Sequence, residues 1–505
     1  MRFYLTTPIY YVNSTPHIGH AYTTAIGDMI IRNRRQREQD TFFLTGVDEH
    51  ATKVFRVAQE QGLEPQEYAD RIAVPWRELP RRLNAETDFF IRTSDDGHKR
   101  FVRDFLQRMY DNGDVYEDVY AGWYCVGCEA FKSEEELNEN GLCKDHLTKP
   151  EWIEEKNYFF RLSAYQDKLL ALYDEHPDFV LPAFRYNEAR SFIAGGLQDF
   201  SISRAGQPWG IPLPWDEAQV AYVWADALIN YLSALTYARE GEDLREAFWP
   251  VAHHLLAKDI LRFHCVFWPA MLLSAGYDPP QQLFVHGYLL LDDKKISKSL
   301  GNVIDPLELI DVYGADAVRF WIARAVSFGQ DGSASVDGVR ERYEAELGND
   351  LGNLLSRSTA MIARYRGGAV KRIEPDRPVD FDALRDDVAA RIDAFDVTGA
   401  LDVIWEAVRR LNQYVTAEAP WQLAKDDANA ARLDRVLVTL VDGLTALAVA
   451  LHAYVPESSL KILAALKQPA DLGWDRVRNA GAAATEGIEQ AEPLFPRIEL
   501  PAATA

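Results

Sequence analysis

Through its first half the chain alternates short β-type runs with segments of helical period, and after about residue 345 the β-type runs stop. Strand candidates are Arg2 to Thr7, Thr41 to Thr45, Asp88 to Thr93, Val251 to Ala257 and Gln282 to Tyr288. Amphipathic stretches such as Ile18 to Gln36 and Asp96 to Tyr110 lie between most of them. Short strands separated by whole helices pair through crossovers, so the pattern predicts an α/β fold with a parallel, doubly wound sheet. Residues 115–221 interrupt the alternation with cysteines and many aromatics and read as an inserted domain. Alanine- and leucine-rich helical periodicity to about residue 465 predicts an α-helical bundle behind the sheet.

A length of 505 residues exceeds one hydrophobic core, and 48% hydrophobic residues suffice for several. A strand-like run begins almost at the first residue, which leaves no room for a secretory signal there. The longest apolar stretch, Val436 to Val455, is interrupted by Asp442, Gly443 and His452 and bracketed by Arg435 and Pro456. It reads as a buried bundle helix rather than a membrane span. The expectation is a soluble, cytoplasmic protein with no membrane partner. A net charge of −23 argues against a polyanionic partner, since phosphates repel an acidic surface. One stretch answers that objection locally: residues 352–372 hold Arg357, Arg364, Arg366, Lys371 and Arg372 and no acid.

Four cysteines in a chain of this length are no disulfide framework. Cys125-Val126-Gly127-Cys128, then fourteen residues, then Cys143-Lys144-Asp145-His146 form two short knuckles with four soft ligands. That spacing suits one tetrahedral Zn2+ at Cys125, Cys128, Cys143 and His146, closed to water and therefore structural. Cys265 lies in the apolar Phe263 to Trp268 stretch and reads as buried.

The first strand candidate ends at Pro8, and nine residues later His17-Ile18-Gly19-His20 opens a helix. Ligands of open α/β sheets bind at the carboxyl ends of strands. Two histidines three apart share a face of the first helical turn and can donate to phosphate oxygens beside the positive helix end. Gly19, without a Cβ, allows a flat base close to the backbone. Alone, such a tetrapeptide is matched by ordinary polar surface. Just past the fifth strand candidate stands Lys294-Lys295-Ile296-Ser297-Lys298-Ser299-Leu300-Gly301-Asn302, a charged loop suited to clamping phosphates, though an isolated lysine run is commonly only solvated.

Together the two stretches resemble the paired HIGH and KMSKS signatures of class I aminoacyl-tRNA synthetases, with Ile296 at the usual methionine position. Thr7-Pro8-Ile9-Tyr10-Tyr11, Gly46-Val47-Asp48-Glu49-His50, Tyr222-Val223-Trp224-Ala225-Asp226-Ala227 and Arg262 to Pro269 extend the resemblance to the methionyl branch of that family, from residue 1 to about residue 498. The resemblance implies a Rossmann-type catalytic domain in two halves (1–114 and 222–292), a zinc-bearing connective insertion (115–221) and a connecting segment with the lysine loop (293–345). A helical anticodon-binding domain (346–498) and a tail (499–505) complete the expected organisation.

It further implies that His17, His20, Lys295 and Lys298 stabilise phosphoryl charge. ATP, carried with Mg2+ as a substrate, would meet His17, Gly19, His20, Asp259, Lys295, Ser297 and Lys298, with Asp259 on the ribose although Ala257 replaces the family's usual glycine. L-Methionine would lie among Ile9, Tyr10, Trp224, Ala227, Tyr231 and His264, its ammonium on Asp48. Asn353, Arg357 and Trp421 would read the methionine tRNA anticodon, initiator and elongator alike, with Asn412 a weaker candidate. The family's optional C-terminal tRNA-binding and dimerising domain has no counterpart, which favours a monomer. Another class I synthetase and a non-catalytic tRNA-binding paralogue are the rival readings; intact His17, His20, Lys295 and Lys298 speak against the second.

Overall fold

The computed structural model describes residues 1–12, 15–126, 130–132, 137–144, 147–291, 294–295, 304–326, 329–333, 335–478 and 485–498. Six parallel strands form the central sheet: β1 (Arg2–Tyr11), β2 (Asp40–Asp48), β3 (Phe89–Arg92), β6 (Val180–Leu181), β7 (Ala252–Ala257) and β8 (Gln282–His286), with β4 (Val115–Cys125) and β5 (Glu151–Phe160) lying outside it. Their order is β3-β2-β1-β7-β8-β6, so the order reverses between β1 and β7. Helices cover both faces, which is why the central strands are nearly unbroken apolar runs: Phe3, Tyr4 and Leu5 of β1, and Phe42, Phe43 and Leu44 of β2, are all buried.

The first strand runs past the point where the sequence suggests it ends. Pro8 has no N–H to give, and the register between β1 and β2 slips between Thr6 and Ile9. Pairing then resumes, Ile9 with Gly46 and Tyr11 with Asp48, which carries Ile9 and Tyr10 onto a strand at the carboxyl edge. Gly46 is required by closeness to the next strand: a Cβ there would stand 2.1 Å from the Ile91 carbonyl oxygen.

The insertion is an antiparallel sheet in which β4 and β5 pair over ten residue pairs. It does not leave the central sheet altogether, because β6, inside residues 115–221, adds to the edge beside β8. Two further strands, β9 (Leu289–Leu291) and β10 (Lys294–Lys295), pair antiparallel, and β11 (Gly332–Ser333) joins them. The helices used below are α1 (Ile18–Gln36), α2 (Asp96–Asp111), α3 (Val223–Ala227), α4 (Asn230–Ser233), α5 (Ala315–Ala325), α6 (Asn353–Arg366), α7 (Phe381–Asp393), α8 (Val397–Glu418), α9 (Ala430–Leu451) and α10 (Pro456–Ala465). The apolar stretch from Val436 falls in α9 and is buried nearly throughout. Among the described residues no helix is long and apolar enough to cross a membrane.

The sheet and the bundle share a core. One cluster of buried side chains runs from Phe3, Phe43 and Leu255 of the sheet through α1 and α5 into α8 and α9. A buried group of charges stands at that junction. Asp28 on α1 meets Arg32 Nε at 2.7 Å and Arg319 on α5 at 2.6 Å, and its carboxylate also accepts from the Glu86 amide at 2.7 Å. Burial would raise the Asp28 carboxyl, but Arg319 and Arg32 outweigh it and hold it below the usual range. Arg319, fully buried, also donates to the carbonyls of Leu83, Ala453 and Tyr454, so it ties α5 to a sheet-side loop and to the turn after α9. Arg319→Met leaves Asp28 without one of its cations and three carbonyls without a donor. It is expected to lower unfolding free energy by about 3–5 kcal/mol, read by denaturant titration; a loss within 1 kcal/mol, about the worth of an exposed pair, refutes this role.

Candidate active site and anticodon face

The carboxyl ends of β1, β2, β7 and β8 open beside the strand-order reversal, and α1 starts there. His17 caps α1: its Nδ1 accepts from the Gly19 amide at 3.1 Å, while His20 Nδ1 accepts from the His17 amide at 3.0 Å. With Nδ1 of each ring used as an acceptor, a neutral imidazole carries its proton on Nε2, so capping fixes both tautomers as Nε2–H donors. The rings lie 3.7 Å apart between centroids. Gly19 makes room for one of them, since a Cβ would come within 3.0 Å of the His17 ring. The space the sequence suggests for a base is, in this structure, taken up by His17.

The chain just past the second signature bonds the start of α1. Lys295 is placed in β10, whose backbone pairs Lys295 with Leu290. Ser297 and Lys298 lie outside the described residues, but the chain returns at Ile304, whose carbonyl accepts from the Ile18 amide at 3.1 Å. That amide is one of the orphan donors of the α1 N-terminus. Lys258 clamps the same region from below, its Nζ 2.6 Å from Asp331, which also accepts from the Tyr288 amide at 2.9 Å. Asp259 follows Lys258 on a tight turn, close enough to His264 and His286 to act electrostatically on both.

Tyr231, Ile9 and Trp224 pack in one apolar cluster, with Ala227 buried on α3. Trp224 stacks on Phe263 at 3.8 Å and 7°, and its indole N–H has no partner among the described residues. His264 sits on a wide helical turn of i→i+5 type, Phe263–Phe267, a geometry that recurs at functional sites. Its Nδ1–H donates to the Ile260 carbonyl at 3.0 Å, leaving Nε2 to accept from the Tyr231 hydroxyl at 2.7 Å. Burial holds the His264 imidazolium down to about 4, so the ring is neutral at pH 7. Burial, with Tyr10 and Asp48 nearby, also raises the Tyr231 hydroxyl. These side chains are therefore mostly aromatic and uncharged, with Tyr231, His264 and the Ile260 carbonyl matched in one chain and the Trp224 indole N–H left over.

Tyr10 belongs to the roof rather than to that chain. Its hydroxyl bonds Thr24 at 2.8 Å and its ring stacks on Trp76 at 5.4 Å and meets His20 at 4.9 Å, so it braces the capped histidines. Asp48 ends β2, mostly buried, at the head of a loop pinned at each later residue. Glu49 pairs with Arg92 at 2.7 Å and its carbonyl accepts from the Trp209 indole at 2.6 Å; His50 meets Asp226 at 2.6 Å. Asp226 lies within the Tyr222 to Ala227 stretch and His50 within Gly46 to His50, yet sequence spacing alone assigned neither a task. The available signal was an acid inside an aromatic, alanine-rich helical run.

A family model described as "tRNA synthetases class I (M)" matches residues 3–145 and 135–359. The methionine–tRNA ligase of Mesorhizobium japonicum is 43% identical over 516 residues, covering 100% of this chain and 99% of its own, and that of Clostridium perfringens is 41% identical over 506 residues, covering 99% and 78%. The structure of Mycobacterium tuberculosis methionyl-tRNA synthetase in complex with methionyl-adenylate superposes with a TM-score of 0.93 at 38% identity, over 98% of this chain and 100% of that one. The chain belongs to the methionyl-tRNA synthetase family.

Two expected features of this family member fall in the insertion and the bundle. Cys125 and Cys143 are buried and brought together around Thr148: Cys143 donates its amide to the Thr148 carbonyl at 2.9 Å, and Cys125 Sγ lies 3.9 Å from Thr148 Oγ1. Cys128 and His146 lie outside the described residues. Cys265 is buried, and burial pushes its thiol well up, so it is no nucleophile.

At the bundle, Asn353 and Arg357 are one turn apart on α6, and Arg357 sits 5.9 Å from the Trp421 ring centroid. Trp421 is 38% exposed, which argues against a role as a bundle core residue. The chain reaches it through Ala419, in the left-handed region at φ 44°, followed by Pro420. A non-glycine residue there costs about 1–2 kcal/mol, the kind of strain that collects at binding sites. Asn412 donates inward to the Asp350 and Val408 carbonyls. The acid-free stretch is less basic than it reads, because Arg366 and Lys371 both pair with Asp434 on α9. Arg357 has no carboxylate partner among the described residues.

Proposed function

We propose that this chain is a methionine–tRNA ligase: it activates L-methionine with ATP to methionyl-adenylate, releasing pyrophosphate, then esterifies the 3′ end of methionine tRNA, initiator or elongator, releasing AMP. The observation that carries the reading is the joint at α1. The capped histidines of one signature and the Ile304 carbonyl, two residues past the other, meet at one helix N-terminus. No covalent enzyme intermediate is needed. The methionine carboxylate attacks the α-phosphorus in line, and the protein positions the reactants and stabilises charge on phosphoryl oxygens. His17 and His20 donate through Nε2–H, Lys295 and Lys298 bring charge from the loop, and Ser297 adds a hydroxyl. Mg2+ accompanies the nucleotide.

In this reading Asp259 holds the ribose and Asp48 the substrate ammonium. The thioether lies against Ile9, Tyr10, Trp224, Ala227, Tyr231 and His264, where aromatic walls favour sulfur and a neutral His264 avoids stranding a charge beside an apolar side chain. We place the enzyme in the cytoplasm as a monomer. Pyrophosphate exchange tested with all twenty amino acids should depend on methionine. Lys298→Ala should lower the exchange rate by about 10²–10³-fold while methionine affinity barely moves, because the charge it meets develops only during reaction. Loss of affinity without loss of rate contradicts this role.

One Zn2+ at Cys125, Cys128, Cys143 and His146 fits the spacing of the knuckles and the burial of Cys125 and Cys143, and would serve only to hold the insertion. Metal analysis should find close to one zinc per chain, and Cys125→Ser should loosen the insertion to proteolysis. A zinc-free protein of equal stability and activity rules the ion out.

Trp421, with Arg357 and Asn353, fits a reader of an unstacked anticodon base, the aromatic face for stacking and the polar pair for the base edge. Stacking of about 1–3 kcal/mol per base predicts that Trp421→Ala slows charging of tRNA bearing CAU by roughly one to two orders of magnitude, with tRNA-independent exchange nearly intact. A mutant that retains the full preference for CAU over an altered anticodon shows that Trp421 reads nothing.

A further inference from the structure

His50 and Asp226 belong to a deeply buried ionisable cluster that also includes His98. Asp226 and His98 are fully enclosed, and His50 is 5% exposed. His50 Nδ1 stands 2.6 Å from Asp226 Oδ2, and His98 Nε2 2.7 Å from Asp226 Oδ1. A carboxylate only accepts, so each of these nitrogens carries a proton. His98 Nδ1 in turn bonds the Ser233 hydroxyl at 2.7 Å. Burial would raise the Asp226 carboxyl, yet His50 and His98 hold it down to about 2, so it is ionised at pH 7.

The four residues come from four separate segments. His50 is two residues past Asp48 on the loop after β2; Asp226 stands on α3 between Trp224 and Ala227; His98 is in the first turn of α2; Ser233 ends α4, two residues past Tyr231. One carboxylate thus joins the segment assigned to the substrate ammonium to the segments assigned to its side chain. The joint is a direct polar link between them, and a charge-assisted pair of bonds fixes distance and angle where apolar packing fixes neither. A structural bond of this kind could sit anywhere in the core; this one spans the two halves of a single binding site.

We propose that Asp226 is a positioning residue for methionine: through His50 and His98 it sets the separation between Asp48 and the pocket of Trp224, Ala227 and Tyr231. The proposal rests on the methionine-activating reading above. It sets a requirement on the bond rather than on the residue: what matters is a donor at the place of His50 Nδ1 facing an acceptor on Asp226. Nothing in it involves the nucleotide side of the site, which is held by α1 and the lysine strands.

The test separates methionine from ATP. In Asp226→Asn the amide nitrogen faces a histidine nitrogen that also carries a proton, so one ring must change tautomer or the bond is lost. The Michaelis constant for methionine in pyrophosphate exchange should rise roughly 10- to 100-fold, while the constant for ATP and the rate at saturating methionine stay near wild type. Nitrogen-15 spectra should lose the two strongly hydrogen-bonded imidazole N–H signals of the wild type. His50→Leu, which deletes the donor, should raise the methionine constant in the same way. His50→Asn, whose amide places a donor near the Nδ1 position, should recover most of the loss.

An unchanged methionine constant in Asp226→Asn overturns the proposal, as does a matched loss toward methionine and ATP with a lowered melting temperature. If Asp226→Asn does not fold, the His50 pair decides, and equal behaviour of His50→Leu and His50→Asn overturns it. Wild-type exchange that follows an amino acid other than methionine overturns the functional reading and this proposal with it. Methionine-dependent wild-type exchange with an unmoved Asp226→Asn constant overturns this proposal alone.

Discussion

The Asp28–Arg32–Arg319 cluster is the interaction on which the arrangement of the rest depends. Buried ion groups are weak sources of stability, because desolvation consumes most of the Coulomb gain; their use is to make one arrangement far better than its neighbours. Here the arrangement is the angle between the sheet and the helical bundle. Arg319 reaches three backbone carbonyls from two sides of the junction, and a slip of the bundle by one turn would leave all of them and Asp28 unmatched. Gln36, at the far end of α1, repeats the device on a smaller scale by donating to the Val449 and Leu472 carbonyls of the bundle.

Because that anchor is on α1, its consequences reach the chemistry. A helix of 19 residues is about 28 Å long at 1.5 Å per residue, and this one carries His17 and His20 at its start and Arg32 and Gln36 near its end. The same rod that begins at the capped histidines is fixed in the bundle that carries Trp421. Bundle and sheet share a continuous core, so they are not independent bodies joined by a linker.

Charge is distributed in the site with the same economy. The cluster around Trp224 and Tyr231 holds neutral groups, with Tyr231, His264 and the Ile260 carbonyl matched in one chain. His254 behaves likewise: the Trp268 indole donates to its Nε2, which leaves Nδ1–H for the Thr6 hydroxyl, and burial keeps the ring uncharged. Where a charge is buried beside this wall, as at Asp226 between Trp224 and Ala227, it is met by His50 and His98 on either side.

How much of this was legible from the residues follows from the range of the forces involved. Periodicity of 2 and 3.6 residues is local, so the sheet strands, α1 and the bundle were readable, and the paired signatures were readable because their chemistry is carried by short spacings. The strand past Pro8 was missed because the register slip that rescues it depends on the neighbouring strand. The return of Val180–Leu181 to the central sheet was missed because two residues carry no period. The loss of two cations of the acid-free stretch to Asp434 could not be seen along the chain, since Asp434 lies more than sixty residues away. The same holds for Asp226 with His50 and His98, separated by 176 and 128 positions. By itself the sequence determined which residues can do chemistry and which segments form strands and helices, because those follow from side-chain identity and backbone period. Only the tertiary structure decided which of those groups face one another, because a buried charge takes as its partner whatever the packing of distant segments brings within about 3 Å.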